Sequence, residues 1–274
     1  TSVRFVGDDS FIVGDFGAKC CYLARTRGGR LEILDRHDTQ LADGTAVETD
    51  LMDYHDGRFM VSNFYQGTLS LYQIAGDRIS FLREVETGPV PNMHGLRFIP
   101  GQEELAWLTF CNHKAPRHKV LDLESGNVLH DIETEQQCQD VAFARGHAVV
   151  FARTNHISKG AGKIGRKSKK RIMFATAYVY RMPDDLRRAA PELVSEWTGE
   201  GHIDASVEGP DGRIYSANQY LDRVDIFRLS ETGELALDGV INGFNLPHGL
   251  DVRETRVAVT NYGDQTLRVF DLPA

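Results

Sequence analysis

One short sequence pattern occurs three times in this chain, and it limits the possible folds more than any other feature. The copies cover residues 61–74, 216–229 and 259–272, with Asn63, Asn218 and Asn261 at equivalent places. After the Asn, each copy has several turn-forming residues and then a run in which apolar and polar residues alternate. Such alternation predicts β-strands, and recurrence along a chain is typical of one repeated supersecondary unit. The chain is therefore predicted to be a repeat protein made of strands.

Each copy belongs to a longer unit of four short strand-like runs separated by tight turns. Helix signals are weak, since only residues 183–194 have a composition that would allow one or two helical turns. The six units cover residues 1–45, 46–89, 90–134, 135–199, 200–244 and 245–274. Antiparallel four-stranded units of about 40–50 residues predict an all-β fold, a six-bladed β-propeller that forms a single domain. A sandwich would not repeat a four-strand unit, and a parallel α/β fold would need crossover helices.

The last unit is shorter than the others and contains only three strand-like runs. Residues 1–6 have the pattern of an innermost strand, so they do not supply the missing outer strand of the sixth blade. The sixth blade is therefore expected to be incomplete. Two ways of closing the ring remain open, namely a strand from residues upstream of Thr1 or side-chain packing between the first and last blades.

The net charge and the cysteine pattern argue against several classes of protein. The chain carries 31 Lys and Arg against 39 Asp and Glu, a formal charge of −8, so no overall positive field attracts nucleic acid. No apolar run reaches the length of about 18 residues that a membrane-spanning helix needs. The four cysteines show no CxxC spacing, which favours free thiols in a reducing compartment and hence a cytoplasmic protein.

Two parts of the sequence resemble a known family of propellers. Residues 257–272, "VAVTNYGDQTLRVFDL", are similar to the YVTN repeat, and roughly residues 46–110 and 202–272, about half the chain, resemble blades of lactonase-type propellers related to 6-phosphogluconolactonase. The resemblance implies a propeller, lactone hydrolysis and a His at the channel mouth, which His94 in "PNMH" matches. That family mostly has seven blades, and it has an Arg and a Glu in the next blade. The corresponding segments here, "QCQDVAF" and "FARTNH", do not show them at the family's places.

Equivalent residues of the six inner strands are expected to meet at one mouth of the channel, because the first strand of each blade lines the channel. In the fifth unit the aligned residue is Ile203, whose neighbours on either side are polar. The predicted polar ring contains Asp50, His94, Gln139, His248 and either His202 or Asp204.

Two interpretations of this ring remain open. Propeller channels hold water, and polar residues there are in many cases only solvated. A concave mouth with convergent polar groups is also typical of a small-molecule site, in which His94 or His248 would be general acid or base and Asp50 would orient a His or a water. The remaining ring residues, which would contact substrate, are Gln139, His202 and Asp204. The sequence requires no cofactor, but His94, His248 and His202 are candidate ligands for a divalent metal such as zinc, iron or copper.

Two loops in neighbouring units are rich in basic residues. Residues 158–171 contain seven Lys and Arg and no acid, and residues 111–119 contain three more. Turns between second and third strands open on the same face as the links between blades, so both loops are expected beside the polar ring. The residues predicted to bind an anion there are Arg117, His118, Lys163, Arg166 and Lys167. A solvated loop that only adds charge is the alternative.

Two function hypotheses from different classes follow. The first is a lactonase-like enzyme, a hydrolase or an isomerase, that acts on a small anionic metabolite at the channel mouth. The second is a non-catalytic propeller that binds an acidic protein or another polyanion through its basic loops. Nucleic acid is disfavoured as that polyanion, because the basic loop lacks interleaved aromatic residues for base stacking.

Overall fold

The computed structural model describes residues 1–154 and 173–272, which contain 23 strands and no helix. Blade 1 contains β1 (Ser2–Phe5), β2 (Ser10–Asp15), β3 (Cys20–Arg27) and β4 (Arg30–Asp38). Blade 2 contains β5 (Thr49–His55), β6 (Arg58–Asn63), β7 (Thr68–Ala75) and β8 (Arg78–Val85). Blade 3 contains β9 (Met93–Ile99), β10 (Gln102–Phe110), β11 (Arg117–Asp122) and β12 (Val128–Glu133).

The second half of the ring repeats this plan. Blade 4 contains β13 (Gln137–Ala144), β14 (His147–Arg153), β15 (Phe174–Arg181) and β16 (Glu192–Glu200). Blade 5 contains β17 (Ile203–Glu208), β18 (Ile214–Asn218), β19 (Arg223–Leu229) and β20 (Leu235–Asn242). Blade 6 contains β21 (Pro247–Arg253), β22 (Arg256–Asn261) and β23 (Thr266–Asp271). In each sheet the strands pair with their sequence neighbours, and all pairs are antiparallel.

The six sheets form the predicted six-bladed propeller. Each inner strand contacts the inner strands of the two neighbouring blades, and β1 lies beside β21, so the ring is closed. Blade 6 has three strands, as the sequence predicted. Blades 1 and 6 pack directly against each other through Val3, Phe5 and Phe11 on one side and Ala258 and Leu267 on the other.

The hydrophobic core lies between the blades and not within a single layer. Most apolar clusters combine residues of two adjacent blades, because a strand that alternates in a radially stacked sheet turns one set of side chains to each neighbour, and the cluster between blades 5 and 6 also includes Leu51 of blade 2. The four cysteines are buried and form no disulfide. In the ranges that the structure describes, no helix is long and apolar enough to cross a membrane.

Arg97 ties four blades together at the propeller axis. It lies on β9, is 5% exposed and forms an ion pair with Asp140 of blade 4. Its guanidinium also donates to the Met52 carbonyl of blade 2 at 3.3 Å and to the Ser206 carbonyl of blade 5 at 2.9 Å. The Ser206 amide in turn donates to Asp140 at 2.9 Å.

Arg4 joins the remaining blades in the same layer. It forms an ion pair with Asp53 of blade 2 at 3.0 Å and lies 3.8 Å from Asp251 of blade 6. The second oxygen of Asp53 accepts the Phe98 amide of blade 3 at 2.9 Å. The layer of Arg4, Asp53, Arg97, Asp140 and Asp251, which we call the axial network, therefore contacts all six blades.

Candidate functional site

A cavity of about 260 Å³ opens at one end of the channel and is lined by all six blades. Its floor is formed at the start of the inner strands by Thr1, Asp50, His94, Gln139, His202, Asp204 and His248. Its rim is formed by residues at or just after the ends of the second strands, namely Phe16, Phe64, Cys111, Arg153, Gln219 and Tyr262. The described turns that follow second strands thus open at this mouth, as the sequence predicted, and the turn after β14 lies outside the described residues.

The inner strands are irregular at the floor residues. Pairing between first and second strands shifts register between Thr49 and Met52, between Cys138 and Asp140, and between Ile203 and Ser206. Blades 3 and 6 have the same irregularity beside their His-Gly pairs. Bulges are common next to functional sites because an extra residue redirects side chains. In blade 5 both His202 and Asp204 line the cavity, since residues two apart share one face of a strand, although the sequence predicted only one of them.

His94 and His248 occupy matching environments in blades 3 and 6. The Nδ1 atom of His94 lies 2.9 Å from the Gln139 carbonyl of the next blade, and that of His248 lies 3.1 Å from the Thr1 carbonyl. A carbonyl can only accept, so Nδ1 carries the hydrogen in both rings. The two ring centroids are 5.5 Å apart. Both Nε2 atoms face the carboxylate of Asp50.

A Gly and a Thr hold each of these histidines in place. A Cβ atom on Gly95 would lie 2.5 Å from the Gln139 carbonyl oxygen, so only Gly allows β9 and β13 to approach this closely. The Thr109 hydroxyl accepts the Gly95 amide at 2.9 Å and donates to the same carbonyl at 2.7 Å. Thr260 does the same in blade 6: its hydroxyl accepts the Gly249 amide and donates to the Thr1 carbonyl, both at 2.8 Å.

Asp50 lies between the two imidazoles. Its Oδ2 is 3.4 Å from His94 Nε2 and its Oδ1 is 3.4 Å from His248 Nε2. These separations exceed the roughly 2.7–2.9 Å of a charge-assisted hydrogen bond. The Ser62 hydroxyl fixes the backbone here, since it accepts the Asp50 amide at 3.2 Å and the Leu51 amide at 3.1 Å.

A second group of polar side chains borders the first. The Nε2 atom of His202 lies 3.1 Å from Asp204 Oδ1, which is itself 3.6 Å from His94 Nε2. Arg153 Nη1 lies 3.3 Å from His202 Nε2, and its Nε donates to Gln137 at 2.7 Å. No carboxylate in the described part of the chain lies within ion-pair distance of Arg153, so its charge remains available to a ligand.

The carboxylates control the electrostatics of the floor. Burial opposes a charge on His94, but Asp50 and Asp204 outweigh it and raise the pKa of this imidazole to about 9. For His248 burial prevails over the same two carboxylates and lowers the pKa. Burial alone would raise the pKa of Asp204, but His202, His248 and His94 lower it well below its usual value. The floor is therefore a buried region of negative charge that favours cations.

The floor also offers a group of potential metal ligands. One ligand atom from each of Asp50, His94 and His248 lies within 4.8 Å of the others, and all three residues are buried. His202, the third histidine with a predicted role as ligand, contacts Asp204 and lies outside this group.

The structure brings together all six residues of the predicted ring, Asp50, His94, Gln139, His202, Asp204 and His248. It does not bring His118 to them, and that prediction is corrected. His118 is fully buried, its ring stacks on Trp107 at 5.0 Å between centroids, and burial lowers its pKa to about 3. It belongs to the core between blades 3 and 4, because β11 turns this side chain toward the neighbouring blade.

The predicted anion-binding residues are otherwise paired or outside the described ranges. Arg117 is bound by Asp131 and Glu133 on the adjacent strand and is not among the cavity residues. Lys119, from the same loop region, is buried and donates to the Thr87 carbonyl at 2.7 Å. The remaining predicted residues, Lys163, Arg166 and Lys167, lie outside the residues that the structure describes.

Sequence reasoning missed Arg153, Thr109 and Thr260. Arg153 ends β14, within the segment "FARTNH" in which no family Arg was recognised, and it lines the cavity. The Thr residues had a usable signal, because "LTF" and "VTN" place a Thr at the end of the strand that follows each His-Gly pair.

Comparison with solved structures agrees with the fold. A functionally unknown protein from Desulfotomaculum acetoxidans DSM 771 is 14% identical, with a TM-score of 0.62 over 96% of this chain and 79% of its own. A "putative 6-phosphogluconolactonase" from Bacteroides uniformis ATCC 8492 is 15% identical, with a TM-score of 0.58 over 96% and 77%. The Cps50 (Swd1) β-propeller domain of Myceliophteria thermophila is 7% identical, with a TM-score of 0.59 over 97% and 80%.

No protein-family model matches the sequence, and no curated protein matches it either. At identities this low the structural likeness concerns the fold alone, since propellers of one shape have many functions. The chain is thus a six-bladed β-propeller with a polar cavity at one channel mouth.

Proposed function

We propose that the protein is a lactonase-like hydrolase that acts on a small ester or lactone carrying a negative charge. The observation that supports this most directly is the presence of two complementary groups in one cavity. Asp50, His94 and His248 form a polar group on the floor that would hold the attacking water, and Arg153 offers at the rim a cation that pairs with no carboxylate of the described residues. The cavity of about 260 Å³ is slightly smaller than typical ligand pockets of roughly 300–1,000 Å³, so it suits a small molecule.

The proposed reaction needs an attacking water, a proton for the leaving oxygen and a fixed substrate. The water oxygen bonds to the acyl carbon, and the bond between that carbon and the ring oxygen breaks. The ring oxygen takes a proton, and the product is an open hydroxy acid whose carboxyl proton goes to solvent. Asp50 with its two imidazoles holds the water, and Arg153 binds the phosphate or carboxylate of the substrate.

Two structural neighbours carry descriptions that accord with this class of reaction, although their low identity shows only a shared fold. Those from Bacteroides uniformis and Bacteroides fragilis are each described as a "putative 6-phosphogluconolactonase", and a phosphorylated sugar lactone combines a cyclic ester with an anion. The polyanion-binding alternative gains no support from the described residues, because Arg117 is paired with acids and Lys119 is buried.

The test is hydrolysis of a phosphorylated sugar δ-lactone and of its unphosphorylated counterpart, followed by proton release. We expect the protein to open the phosphorylated lactone faster than the buffer does. Arg153→Gln should raise KM for the phosphorylated lactone at least about tenfold, since a charge-assisted contact is worth roughly 1.5–3 kcal/mol, and leave the neutral lactone unchanged. Lactone opening at the buffer rate, or equal losses of both substrates in Arg153→Gln, would contradict the proposal.

A further inference from the structure

We propose that Asp50, His94 and His248 bind a divalent transition metal ion, with Zn²⁺ as the best fit. The inference concerns the same cavity as the proposed hydrolysis, but it rests on the geometry of these three side chains and not on that reaction. Three separate properties of the site support it, namely ring orientation, spacing and charge.

The orientation of both imidazoles is that of metal ligands. A metal-bound His commonly donates its other ring N–H to a backbone carbonyl or a carboxylate, which fixes the tautomer and the ring plane. His94 and His248 both donate Nδ1–H to a backbone carbonyl of the adjacent blade, at 2.9 and 3.1 Å. In the neutral tautomer each Nε2 therefore presents a lone pair to Asp50.

The spacing matches the edges of a tetrahedral coordination shell. Bonds of about 2.0–2.2 Å from Zn²⁺ to N and O ligands place neighbouring ligand atoms about 3.3–3.5 Å apart. The two separations between Asp50 oxygens and imidazole Nε2 atoms are both 3.4 Å. All three ligand atoms lie within 4.8 Å of one another, so the shell closes with small side-chain rotations.

The charge of the site is unbalanced in the direction that attracts a cation. Asp50 and Asp204 are 6% and 2% exposed, and in the described ranges no Lys or Arg forms an ion pair with either carboxylate. Asp204 Oδ2 has no hydrogen-bond partner although it is buried. Arg153 is the one Lys or Arg among the described residues that line the cavity, and its guanidinium contacts His202 and not the carboxylates. A dication on the floor would compensate both buried carboxylates, whose negative charge is costly to leave unpaired in a low-dielectric site.

Two His and one carboxylate form an incomplete shell, which is typical of catalytic metals and not of structural ones. Zinc held by three protein ligands leaves a fourth position for water and lowers the pKa of that water to about 7. This is the chemistry that hydrolysis at the mouth would use, so the inference identifies how the proposed reaction obtains its nucleophile.

The experiment is calorimetric titration of untagged, chelator-treated protein with Zn²⁺, without any substrate. We expect one equivalent to bind, and Asp50→Asn, His94→Gln and His248→Gln each to weaken binding by at least about 100-fold, the upper end of what even an outer-shell change causes. His37→Gln on the partly exposed β4 is the matched control and should bind as the wild type does. The absence of saturable binding, or equal binding by all four variants, would refute the site.

A second measurement needs no variant and so does not depend on how well the substituted proteins fold. Co²⁺ is added in place of Zn²⁺, and exchangeable imidazole protons are followed by paramagnetic proton NMR. Because His94 and His248 keep Nδ1–H, two strongly shifted exchangeable resonances are expected; none, or only one, would overturn the assignment. A chelated protein that still opens lactones would leave the hydrolysis proposal intact, and zinc binding without hydrolysis would leave the metal site intact, so the two can fail separately.

Discussion

Replacement of Arg97 by Met should strongly destabilise the propeller, because it breaks a buried ion pair at the axis. The side chain is 5% exposed, and its partner Asp140 is fully buried. Without Arg97, the Asp140 carboxylate keeps only the Ser206 amide as a donor, because its Oδ1 already has no hydrogen-bond partner. Breaking a buried ion pair from one side costs about 3–5 kcal/mol. Since proteins are stable by roughly 5–15 kcal/mol, we expect a large loss that still permits folding.

A double variant separates the charge effect from the packing effect. Arg97→Met with Asp140→Asn removes the unpaired charge and keeps an acceptor for the Ser206 amide. It should therefore recover part of the stability that the single variant loses. The matched control is Arg181→Met, because the ion pair of Arg181 with Glu192 has side chains that are 56% and 66% exposed. That change should alter stability by less than about 1 kcal/mol.

Equilibrium unfolding in urea, followed by tryptophan fluorescence, measures these differences as shifts in midpoint at constant slope. If Arg97→Met lost less than about 1 kcal/mol, or if the double variant were no more stable than the single one, the axial network would not be a strongly coupled charge cluster. A changed slope would instead indicate that unfolding has stopped being two-state.

The remaining predictions concern the core between the blades and the residues that hold His94 in place. His118 has a pKa of about 3 in the folded protein and about 6.5 in the unfolded chain. Between these pH values only the unfolded chain binds the proton, so the wild-type protein becomes less stable as pH decreases through this range. Between pH 7 and pH 4.5, the free energy of unfolding of His118→Phe should fall by about 2–3 kcal/mol less than that of the wild type, as measured from urea midpoints. An equal fall in both proteins would contradict the burial argument. Gly95→Ala should destabilise the fold by about 1–3 kcal/mol through overpacking. Gly7→Ala should not, because the added Cβ would lie 3.7 Å from its nearest neighbour, the Cβ atom of Ser10. Thr109→Val should cost about 1–3 kcal/mol by leaving the Gly95 amide without its acceptor, and a midpoint unchanged from wild type would show that the hydroxyl is dispensable.

The fold and the residues of the cavity floor could be predicted because a propeller converts sequence repetition into spatial proximity. Residues at the same place in six repeats must lie around one axis, so the alignment of His94 with His248 predicted that their side chains converge. Their ring centroids are 5.5 Å apart. His118 fails this logic because it lies on a third strand, where the direction of a side chain depends on which neighbouring blade covers it. Its flanking Arg117 and Lys119 suggested a basic loop beside the mouth, although Trp107 and Tyr180 of the core enclose His118.

Arg153 could not be located from the sequence because its position depends on register. A family pattern specifies a place in an ideal strand, but β13 shifts register against β14 between Cys138 and Asp140. One residue of shift moves a side chain to the other face of a sheet. The same shift lets Gln139 line the cavity while Asp140, the next residue, reaches Arg97 in the axial network.

The irregular inner strands explain how one strand supplies both layers of the channel. His94 and Arg97 are three residues apart, and strict alternation would direct them to opposite faces. The irregularity beside Gly95 changes the phase, so both side chains reach the axis, with His94 at the mouth and Arg97 beneath it.

Asp50 with Asp53 and His248 with Asp251 repeat this offset in blades 2 and 6. The lower layer is internally paired, since two arginines are shared among three aspartates. The upper layer has two aspartates and three histidines, and no arginine pairs with its carboxylates in the described ranges. Under the proposed function, ligand binding belongs to the upper layer, whereas the paired lower layer holds the blades together. Substitutions in the lower layer should therefore change the free energy of unfolding, whereas substitutions of Asp50 or His248 should change ligand affinity at nearly constant stability.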